Sequence, residues 1–356
     1  MENAMTTTME HEAALRSRWQ VLQNAESPPR IRDAAAQLGV SETELLALDC
    51  GRRVTRLAGD WGDLVQELAA LGRVMALTRN DDAVHEKYGV YGNVSINGGM
   101  GLVLNPDIDL RLFLGHWHYG YAVQETTRIG IRHSLQFFDS DGTAVHKVYL
   151  TEQSNRDAYT DIVAHHRSTD QSSRQPVIAA PAVPARPDEE IDVIGLRNHW
   201  RALRDTHDFR DLLKRFGVAR LQGLRLAGTE FATAVAPDGF AQVMEVVADA
   251  ALPIMIFVGS PGVVQIHSGP VAKLTRIGPW FNVLDADFNL HLRLDRIDSA
   301  WVVRKPTVDG MVTSLELYDA AGRLIAQLFG VRKPGQTEDE TWRRIVEALP
   351  LLDWPS

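Results

Sequence analysis

The chain has 356 residues, of which 45% are hydrophobic and 23% charged, so it is long enough for two globular domains with their own cores. Its formal net charge of −9 argues against a nucleic-acid coat protein and against a protein that binds an anionic membrane surface, because both need a positive field. Its one cysteine, Cys50, excludes an internal disulfide, a thiolate-ligated iron–sulfur cluster and a cysteine-built zinc site.

The hydropathy pattern indicates where the protein resides. The first twelve residues are polar and acidic, and they lack the basic flank and apolar run of a signal peptide. No apolar run approaches the ~18 residues of a membrane helix. The longest, Ala250–Val258, contains Pro253 and is followed by Gly259, which is typical of a buried strand. We therefore expect a soluble, cytoplasmic protein.

The N-terminal segment is predicted to be helical. Apolar residues at helical spacing predict a helix over Glu12–Gln23. Within residues 28–46 two shorter helices are predicted to meet at Gly39, with Ser41 capping the second and Glu44 completing a capping box. This pair has the outline of a helix-turn-helix, although the second helix lacks the basic residues of a DNA-recognition helix.

From about residue 72 to 150 the apolar period changes to two, which predicts strands. The strands expected are Asn93–Asn97, Asp109–Leu114 and Ser134–Phe138, with a hairpin turn at Asp139–Gly142. A helix over Tyr159–His166 is predicted to close this half of the chain. Residues 168–187 are rich in serine and proline, which indicates a flexible linker stiffened by its prolines.

The second half of the chain repeats the first. The block Leu135–Gly142 (LQFFDSDG) returns 180 residues later as Leu315–Gly322 (LELYDAAG), and each copy is followed by a strand and a terminal helix, Glu338–Ala348 in the second. We predict an α+β fold with an internal duplication, in which each repeat has a large antiparallel sheet flanked by helices, and a ligand cleft between the halves. The predicted domains are an N-terminal repeat (1–167) with a helical N-terminal segment, a linker (168–187) and a C-terminal repeat (188–356).

Two groups of histidines, His116-Trp117-His118 and His85-Glu86-Lys87, have both a chemical and an ordinary structural interpretation, and a third, His165-His166, has an ordinary one. The first places two imidazoles on one strand face, a possible metal site, but no carboxylate or third histidine at useful spacing supports it. The second offers a general acid, although alternating charges of this kind are usually a solvated turn. The third ends a predicted helix beside the linker, where a histidine suits the helix dipole.

The most informative stretch runs from Asp205, a predicted helix cap, to Gly217, a predicted helix end. At about 100° per residue the apolar side chains of this helix form one stripe, and His207 falls nearly opposite it in the first turn. The macrodipole there disfavours the imidazolium form, so the ring would stay neutral and able to donate a lone pair to a metal. An exposed histidine near a cap is the plain alternative.

The residues around His207 resemble those of a known family. Trp200-Arg201-Ala202-Leu203-Arg204-Asp205-Thr206-His207, continuing to Leu213 and Arg220, resembles the haem-ligand segment of the HemS/ChuS/PhuS family of bacterial haemin-transport and haemin-degrading proteins. Further blocks agree in order and content: Arg79-Asn80, Val84–Gly89, Ile108–Phe113, Arg132–Asp139, Val303–Thr307 and Asp309-Gly310. The resemblance runs from about residue 12 to residue 350.

The resemblance implies that the cofactor is haem, iron protoporphyrin IX, and names candidate groups on both sides of its iron. His207 would be the proximal ligand. Arg111, in Ile108-Asp109-Leu110-Arg111, matches the arginine that the family places on the distal side. The alternative for Arg111 is an ordinary ion pair with Asp109 or Asp107.

The resemblance also implies a pocket for the rest of the macrocycle. Arg220, Lys305 and Arg332 would supply cations for the two ionised propionates. Gln327 and Phe329 lie two residues apart on one strand face and would line the pocket. The family often has a tyrosine in this strand, and a phenylalanine cannot donate a hydrogen bond. The ordinary alternatives are a solvated Lys305 and an Arg220 that caps helix carbonyls.

The implied function is haem binding and trafficking in a bacterial haem-uptake and iron-acquisition system, with an inner-membrane haem ABC transporter and a haem oxygenase as partners. One alternative is a haem-degrading enzyme that opens the porphyrin ring with O2 and an external reductant and releases iron. Another is a haem-responsive regulator that binds DNA through the helix pair of residues 28–46. The acidic balance argues against the regulator, and we expect no nucleic-acid partner.

Overall fold

A computed structural model describes residues 2–128, 130–179, 184–332 and 335–352, with side chains from residue 12 onward. Pro181 of the predicted linker and the last four residues of the predicted C-terminal repeat lie outside this range. The elements of the first half are α1 (Glu2–Gln23), α2 (Ile31–Leu38), α3 (Glu42–Ala47), β1 (Val54–Leu57), α4 (Trp61–Glu67), β2 (Gly72–Arg79), β3 (Ala83–Gly89), β4 (Val94–Asn97), β5 (Met100–Leu104), β6 (Asp109–Phe113), β7 (Tyr119–Thr127), β8 (Gly130–Phe138), β9 (Ala144–Ser154) and α5 (Arg156–His165). Those of the second half are α6 (Val193–Arg201), α7 (Asp208–Phe216), α8 (Arg220–Ala227), β10 (Ala232–Val235), α9 (Gly239–Asp249), β11 (Ile254–Gly259), β12 (Val263–Gly269), β13 (Leu274–Ile277), β14 (Trp280–Leu284), β15 (Phe288–Arg293), β16 (Ser299–Thr307), β17 (Gly310–Tyr318), β18 (Leu324–Gly330) and α10 (Glu340–Glu347).

The described residues form two compact units. Unit 1 contains the chain up to Thr78, the chain from Tyr88 to the linker, and the short segment Ser260–Val263. Unit 2 contains Arg79–Lys87, the chain from the linker to Gly259, and the chain from Val264 onward. Each unit therefore includes a short segment from the other half of the sequence. The domain boundaries at residues 168 and 187 remain a prediction.

Unit 1 is built on an antiparallel sheet in the order β1-β7-β8-β9-β2, and β4, β5 and β6 form an antiparallel meander. Its main core packs α4 and α5 against strands through apolar side chains such as Leu64, Ile162 and Phe137. The N-terminal helices α1 to α3 form a separate small cluster that includes Leu15, Ala34 and Leu45, none of them more than slightly exposed.

Unit 2 has an antiparallel sheet in the order β10-β16-β17-β18-β11-β12, and a second one in the order β3-β15-β14-β13. Successive residues of β16 enter different cores: Ala300 and Val302 pack with α9 and α10, whereas Trp301 and Val303 pack with α6 to α8. The larger sheet is therefore covered by helices on both faces. The predicted α+β class is confirmed.

The two units repeat one order of elements. Three helices precede a short strand in each, α1 to α3 before β1 and α6 to α8 before β10. The predicted capping box is present at Ser41 and Glu44, and the equivalent turn of unit 2 keeps half of it, where the Ala219 backbone N–H donates to Gln222 Oε1 at 3.2 Å. The pair α2 and α3, which has the outline of a helix-turn-helix, thus recurs as α7 and α8 and belongs to the repeated architecture.

Two local predictions were wrong. The strand predicted over Ala250–Val258 begins only at Ile254, because α9 extends to Asp249 with Ala250 as its C-cap. The group His85-Glu86-Lys87 is not a solvated turn, because it lies on β3 and pairs with β15, which buries His85 and Lys87 almost completely. Burial lowers the pKa of His85 well below the usual range, with His267 and Lys87 acting in the same direction, so its ring is neutral at physiological pH.

The first helix is longer than predicted. It covers Glu2–Gln23 and is the longest helix among the described residues, but its sequence is polar on average and its apolar residues are scattered. In the described part of the chain, no helix combines the length and apolar character that crossing a bilayer would require.

Candidate functional site

Helix α7 positions the candidate iron ligand. It begins after His207, its N-cap residue, and ends at Gly217, whose φ of 60° is the left-handed conformation that glycine adopts without strain. Phe209, Leu212 and Leu213 are buried against α6 and α8, so the predicted apolar stripe is confirmed. Because this stripe faces the core, the opposite side of the first turn faces outward.

The imidazole of His207 stands at the surface, with 81% of its side chain exposed. Its Nδ1 lies 2.6 Å from Asp205 Oδ1, and the His207 backbone N–H donates to the same oxygen at 2.9 Å. Asp205 was predicted to cap the helix; it instead lies two residues before the N-cap and holds the histidine. The hydrogen bond from the His207 backbone is the largest cause that lowers the pKa of Asp205, so the carboxylate is ionised and accepts.

The tie to Asp205 determines which ring nitrogen is available. A carboxylate at Nδ1 keeps the proton there, which leaves the lone pair on Nε2. In metal sites a ligating histidine commonly donates its other N–H to a carboxylate in this way, and the pairing fixes the ring and raises its basicity. The contact with Asp205 therefore leaves Nε2 as the ring nitrogen that can donate a lone pair.

A buried polar cluster lies on the sheet face that α6 to α8 cover, and Glu316 of β17 is its centre. Glu316 is fully buried and accepts two hydrogen bonds from Arg220, from Nε at 2.9 Å and from Nη2 at 2.8 Å. Lys305 Nζ at 2.8 Å and Gln327 Nε2 at 2.9 Å donate to Oε1. Ser314 Oγ at 3.0 Å and Tyr318 OH at 2.6 Å, both from β17 itself, complete the shell.

Three of the predicted pocket residues, Arg220, Lys305 and Gln327, therefore meet on one carboxylate. Glu316 is ionised: burial alone would raise its pKa, but the charges of Arg220 and Lys305 hold that pKa well below its usual range. Burial lowers the pKa of Lys305 to about 8, with Arg220 acting in the same direction and Glu316 against it. With Lys305 protonated, the two cations and one anion leave a net charge of +1 beside α7.

Aromatic rings connect this cluster to the helix of His207. The Nζ of Lys305 lies 4.6 Å from the ring centre of Phe209 and 5.8 Å from that of Phe329, and the guanidinium of Arg220 lies 5.1 Å from Phe209. Phe329 is almost buried and stands on the same face of β18 as Gln327, as predicted. The alternative of a solvated Lys305 is wrong, because only 3% of its side chain is exposed.

Arg332 belongs to the surroundings of Asp205. Its Nη1 lies 3.8 Å from Asp309 Oδ2 at the β16–β17 turn, and its charge helps to lower the pKa of Asp205. That turn contacts the loop before α7, where the Val308 N–H donates to the Arg204 carbonyl at 3.0 Å. Arg332 therefore adds a second, partly exposed cation on the His207 side of unit 2.

Arg111 lies in unit 1, on β6, where it forms an ion pair with Asp109 and keeps 30% of its side chain exposed. Burial raises the pKa of Asp109, and the Arg111 charge opposes this rise. The alternative of an ordinary pair with Asp109 is therefore what the structure contains. The distal role of Arg111 remains a prediction.

Sequence reasoning missed the centre of the cluster. Glu316 stands between Leu315 and Leu317, a pattern typical of a strand with one solvated face, whereas β17 is buried on both faces. Its flanking serine and tyrosine, Ser314 and Tyr318, share its face. The repeat contained a signal for Glu316. The first residue of α3 is Glu42, which pairs with the buried cation Lys147. The first residue of α8 is Arg220, so the charge is reversed and a buried anion is the matching partner.

Comparison with known proteins decides the family. The profile of HemS, described as the haemin-degrading HemS/ChuX domain, matches residues 39–166 and matches again over residues 217–349. The chain belongs to the HemS family. The double match also confirms the internal duplication that the repeated block predicted.

Full-length members of the HemS family are similar to this chain. The hemin transport protein HemS of Yersinia enterocolitica is 43% identical over 326 residues, which cover 90% of this chain and 93% of the relative. Holo-PhuS, a heme-binding protein from Pseudomonas aeruginosa, is 46% identical with a TM-score of 0.93 and covers 96% of this chain and 99% of its own. The heme-degrading enzyme ChuS of Escherichia coli O157:H7 is 35% identical with a TM-score of 0.89, at 95% and 99% coverage.

Proposed function

We propose that this HemS-family protein binds one haem through Nε2 of His207 and carries it within a bacterial haem-uptake and iron-acquisition system. The observation that carries the proposal is an exposed imidazole whose Nδ1 is held by an ionised carboxylate, which leaves Nε2 free to face a ligand. The names of HemS and PhuS, a hemin transport and a heme-binding protein, support the same function.

The residues of unit 2 fit the chemistry of haem. When bound, haem supplies an iron that takes an imidazole nitrogen as axial ligand and two ionised propionates at its edge. His207 would hold the iron. Arg220 and Arg332, with 27% and 20% of their side chains exposed, can present their cations to the propionates. Lys305, which is buried, adds a third positive charge. Phe209 and Phe329 supply apolar surface next to these cations.

The matched test of the ligand compares two exposed histidines that each have an aspartate oxygen close to Nδ1. His207 and His118 each place Nδ1 beside an aspartate oxygen, Asp205 and Asp139 respectively. We expect His207→Ala to lose the histidine-type visible spectrum of the haem complex and to weaken binding, whereas His118→Ala should bind as the wild type does. Adding imidazole to the His207→Ala complex should restore the spectrum. An unaltered His207→Ala spectrum would remove His207 as the ligand.

A trafficking protein receives haem from one partner and delivers it to another. We propose that it acts in the cytoplasm, accepts haem that an inner-membrane ABC transporter delivers, and passes it to a haem oxygenase. An exposed proximal ligand supports this role, because haem could leave without opening the core. Mixing the haem complex with an apo haem oxygenase should transfer the Soret band to the acceptor faster than free dissociation allows. Transfer at the dissociation rate would contradict directed delivery.

Ring opening is the second candidate, and the name of ChuS as a heme-degrading enzyme favours it. This activity would need O2 and an external reductant, and the chain's own contribution would be to hold haem at His207 and to leave the other axial side accessible. The haem complex should then lose its Soret band on addition of ascorbate in the presence of catalase and gain biliverdin-type absorption. A stable spectrum under these conditions would exclude ring opening and leave haem trafficking as the function.

A further inference from the structure

A cluster of two imidazoles and a carboxylate lies in unit 1, at a place that the haem function does not use. Glu67 ends α4, His165 ends α5 and His166 is the C-cap of α5. Glu67 Oε1 lies 3.0 Å from His165 Nδ1 and 3.2 Å from His166 Nε2, and one ligand atom from each residue lies within 4.8 Å of the other two. Ligands of a tetrahedral zinc ion, bound at 2.0–2.2 Å, lie about 3.3 Å apart.

The backbone that carries these groups is held in place. The Ala58 N–H donates to the His166 carbonyl at 2.8 Å, and Leu57 forms a β-bridge with Arg167. The ring of His166 is 95% buried in consequence, whereas His165 keeps 69% of its side chain exposed. The ring of His166 is therefore held in place, and the ring of His165 is accessible to solvent. This arrangement leaves coordination positions open to water.

Unit 2 shows that the fold does not require histidines at this point. There the Ala236 N–H donates to the Pro350 carbonyl at 3.0 Å, and Val235 forms a β-bridge with Leu351. The same backbone pairing at the end of the terminal helix is thus made by Leu349-Pro350, which offers no metal ligand. The last turn of the equivalent helix in unit 2 carries Arg344, so a favourable charge at this helix end does not require a pair of histidines.

We propose that Glu67, His165 and His166 bind a divalent first-row transition metal ion of the zinc class, with water in the remaining positions. Two imidazole nitrogens and one carboxylate oxygen suit Zn²⁺, Co²⁺, Ni²⁺ and Fe²⁺, and they disfavour Ca²⁺ and Mg²⁺, which take oxygen ligands. Glu67 Oε1 already lies within 3.2 Å of one nitrogen of each ring, so the three groups are close together without an ion. The proposed metal site shares no residue with the proposed haem site.

A second histidine pair in unit 1 provides a competitor and a control. The structure brings Asp139, a carboxylate that sequence spacing did not indicate, to within 3.3 Å of His116 and 3.2 Å of His118. Each histidine there contacts a different carboxylate oxygen, Oδ2 and Oδ1, whereas Glu67 Oε1 contacts both rings of its own pair. Of these two clusters of described residues, the one around Glu67 brings three ligand atoms close together.

The test uses the untagged, haem-free full chain and Co²⁺, whose d–d absorption reports coordination number and nitrogen ligation. We expect one Co²⁺ per chain, displaced by Zn²⁺ and unaffected by excess Mg²⁺. His165→Ala and Glu67→Gln should each weaken Co²⁺ binding by at least about tenfold, since loss of a ligand costs at least as much as loss of an outer-shell partner. His118→Ala should leave binding unchanged. Circular dichroism and haem titration of each variant show that it is folded.

Three outcomes would overturn the proposal. The first is that the folded chain binds Co²⁺ no more tightly than the unfolded chain does. The second is that His118→Ala and His165→Ala weaken Co²⁺ binding equally. The third is binding that is lost in His118→Ala but kept in His165→Ala, which would place the ion at Asp139. Because haem titration is read on the same samples, failure of the metal site and failure of haem binding are distinguished.

Discussion

Removal of the Glu316 carboxylate should be among the most damaging single changes to unit 2. Glu316→Gln keeps the size of the side chain but leaves Arg220 and Lys305 without their anion, and Lys305 has 3% of its side chain exposed. Breaking a buried ion pair from one side costs about 3–5 kcal/mol, because the remaining charge stays buried and unpaired. We expect a loss of this size in the free energy of unfolding, measured near pH 6 in urea.

The loss should depend on pH in a direction set by Lys305. Burial depresses the pKa of Lys305 in the folded wild type from 10.5 to about 8, so the unfolded chain binds more protons between these values and stability rises with pH there. Glu316 opposes that depression, so its removal lowers the folded pKa of Lys305 further. In the variant, the free energy of unfolding therefore begins to rise at a lower pH than in the wild type. The difference between the two free energies should shrink as pH rises from about 6 to 8.

An exposed pair with the same geometry gives the control. Glu230 accepts two hydrogen bonds from the Arg201 guanidinium, as Glu316 does from Arg220, but both side chains are 54% exposed. Solvent screens such pairs, so Glu230→Gln should cost only a small fraction of the Glu316→Gln loss. Equal losses in the two variants, or a Glu316→Gln deficit that does not vary with pH, would refute the reasoning.

Three further predictions concern haem affinity and the packing of unit 2. Asp205→Asn should weaken haem binding by about 10–100-fold without unfolding the protein, measured by Soret titration, because it removes the group that orients the ligand. Haem affinity should fall as pH rises through about 8, where Lys305 loses its charge, and Lys305→Met should flatten this part of the titration curve. Gly330→Ala should destabilise the protein by about 1–3 kcal/mol in thermal unfolding, since the added methyl group would lie 2.9 Å from Trp342, whereas Gly115→Ala meets open space.

The position of His207 could be predicted because the signals are local. An apolar stripe and a terminating glycine both lie within residues 205–217, and helical geometry alone places the histidine opposite the stripe. The strands and the duplication could also be predicted, because the repeated block is embedded in the same order of elements twice. The family resemblance selected the same residues by an independent route.

The partners of the charged residues could not be predicted in this way. Arg220 and Glu316 are 96 residues apart, and Glu67 lies 99 residues from His166. The Arg220–Glu316 contact depends on the face of the sheet that Glu316 occupies, and period-two alternation does not distinguish a solvated face from one covered by helices. The Glu67–His166 contact depends on how two helix ends meet, which local sequence does not encode. The misassigned His85 has the same origin, because a strand buried on both faces can carry polar residues that look solvent-exposed in the sequence.

The inclusion of residues 79–87 in unit 2 has a consequence for how the molecule is made. Strand β3 pairs with β15, so about 200 residues must leave the ribosome after β3 before its partner exists, roughly 10–40 s at 5–20 residues per second. Throughout that interval the edge of β3 that will pair with β15 lacks its neighbour, a state that favours aggregation. A fragment that starts at residue 188 would lack β3 permanently and expose the edge of β15. A chaperone that covers the unpaired strand during this interval should therefore raise the yield of the intact chain, whereas slower elongation lengthens the interval and should lower it.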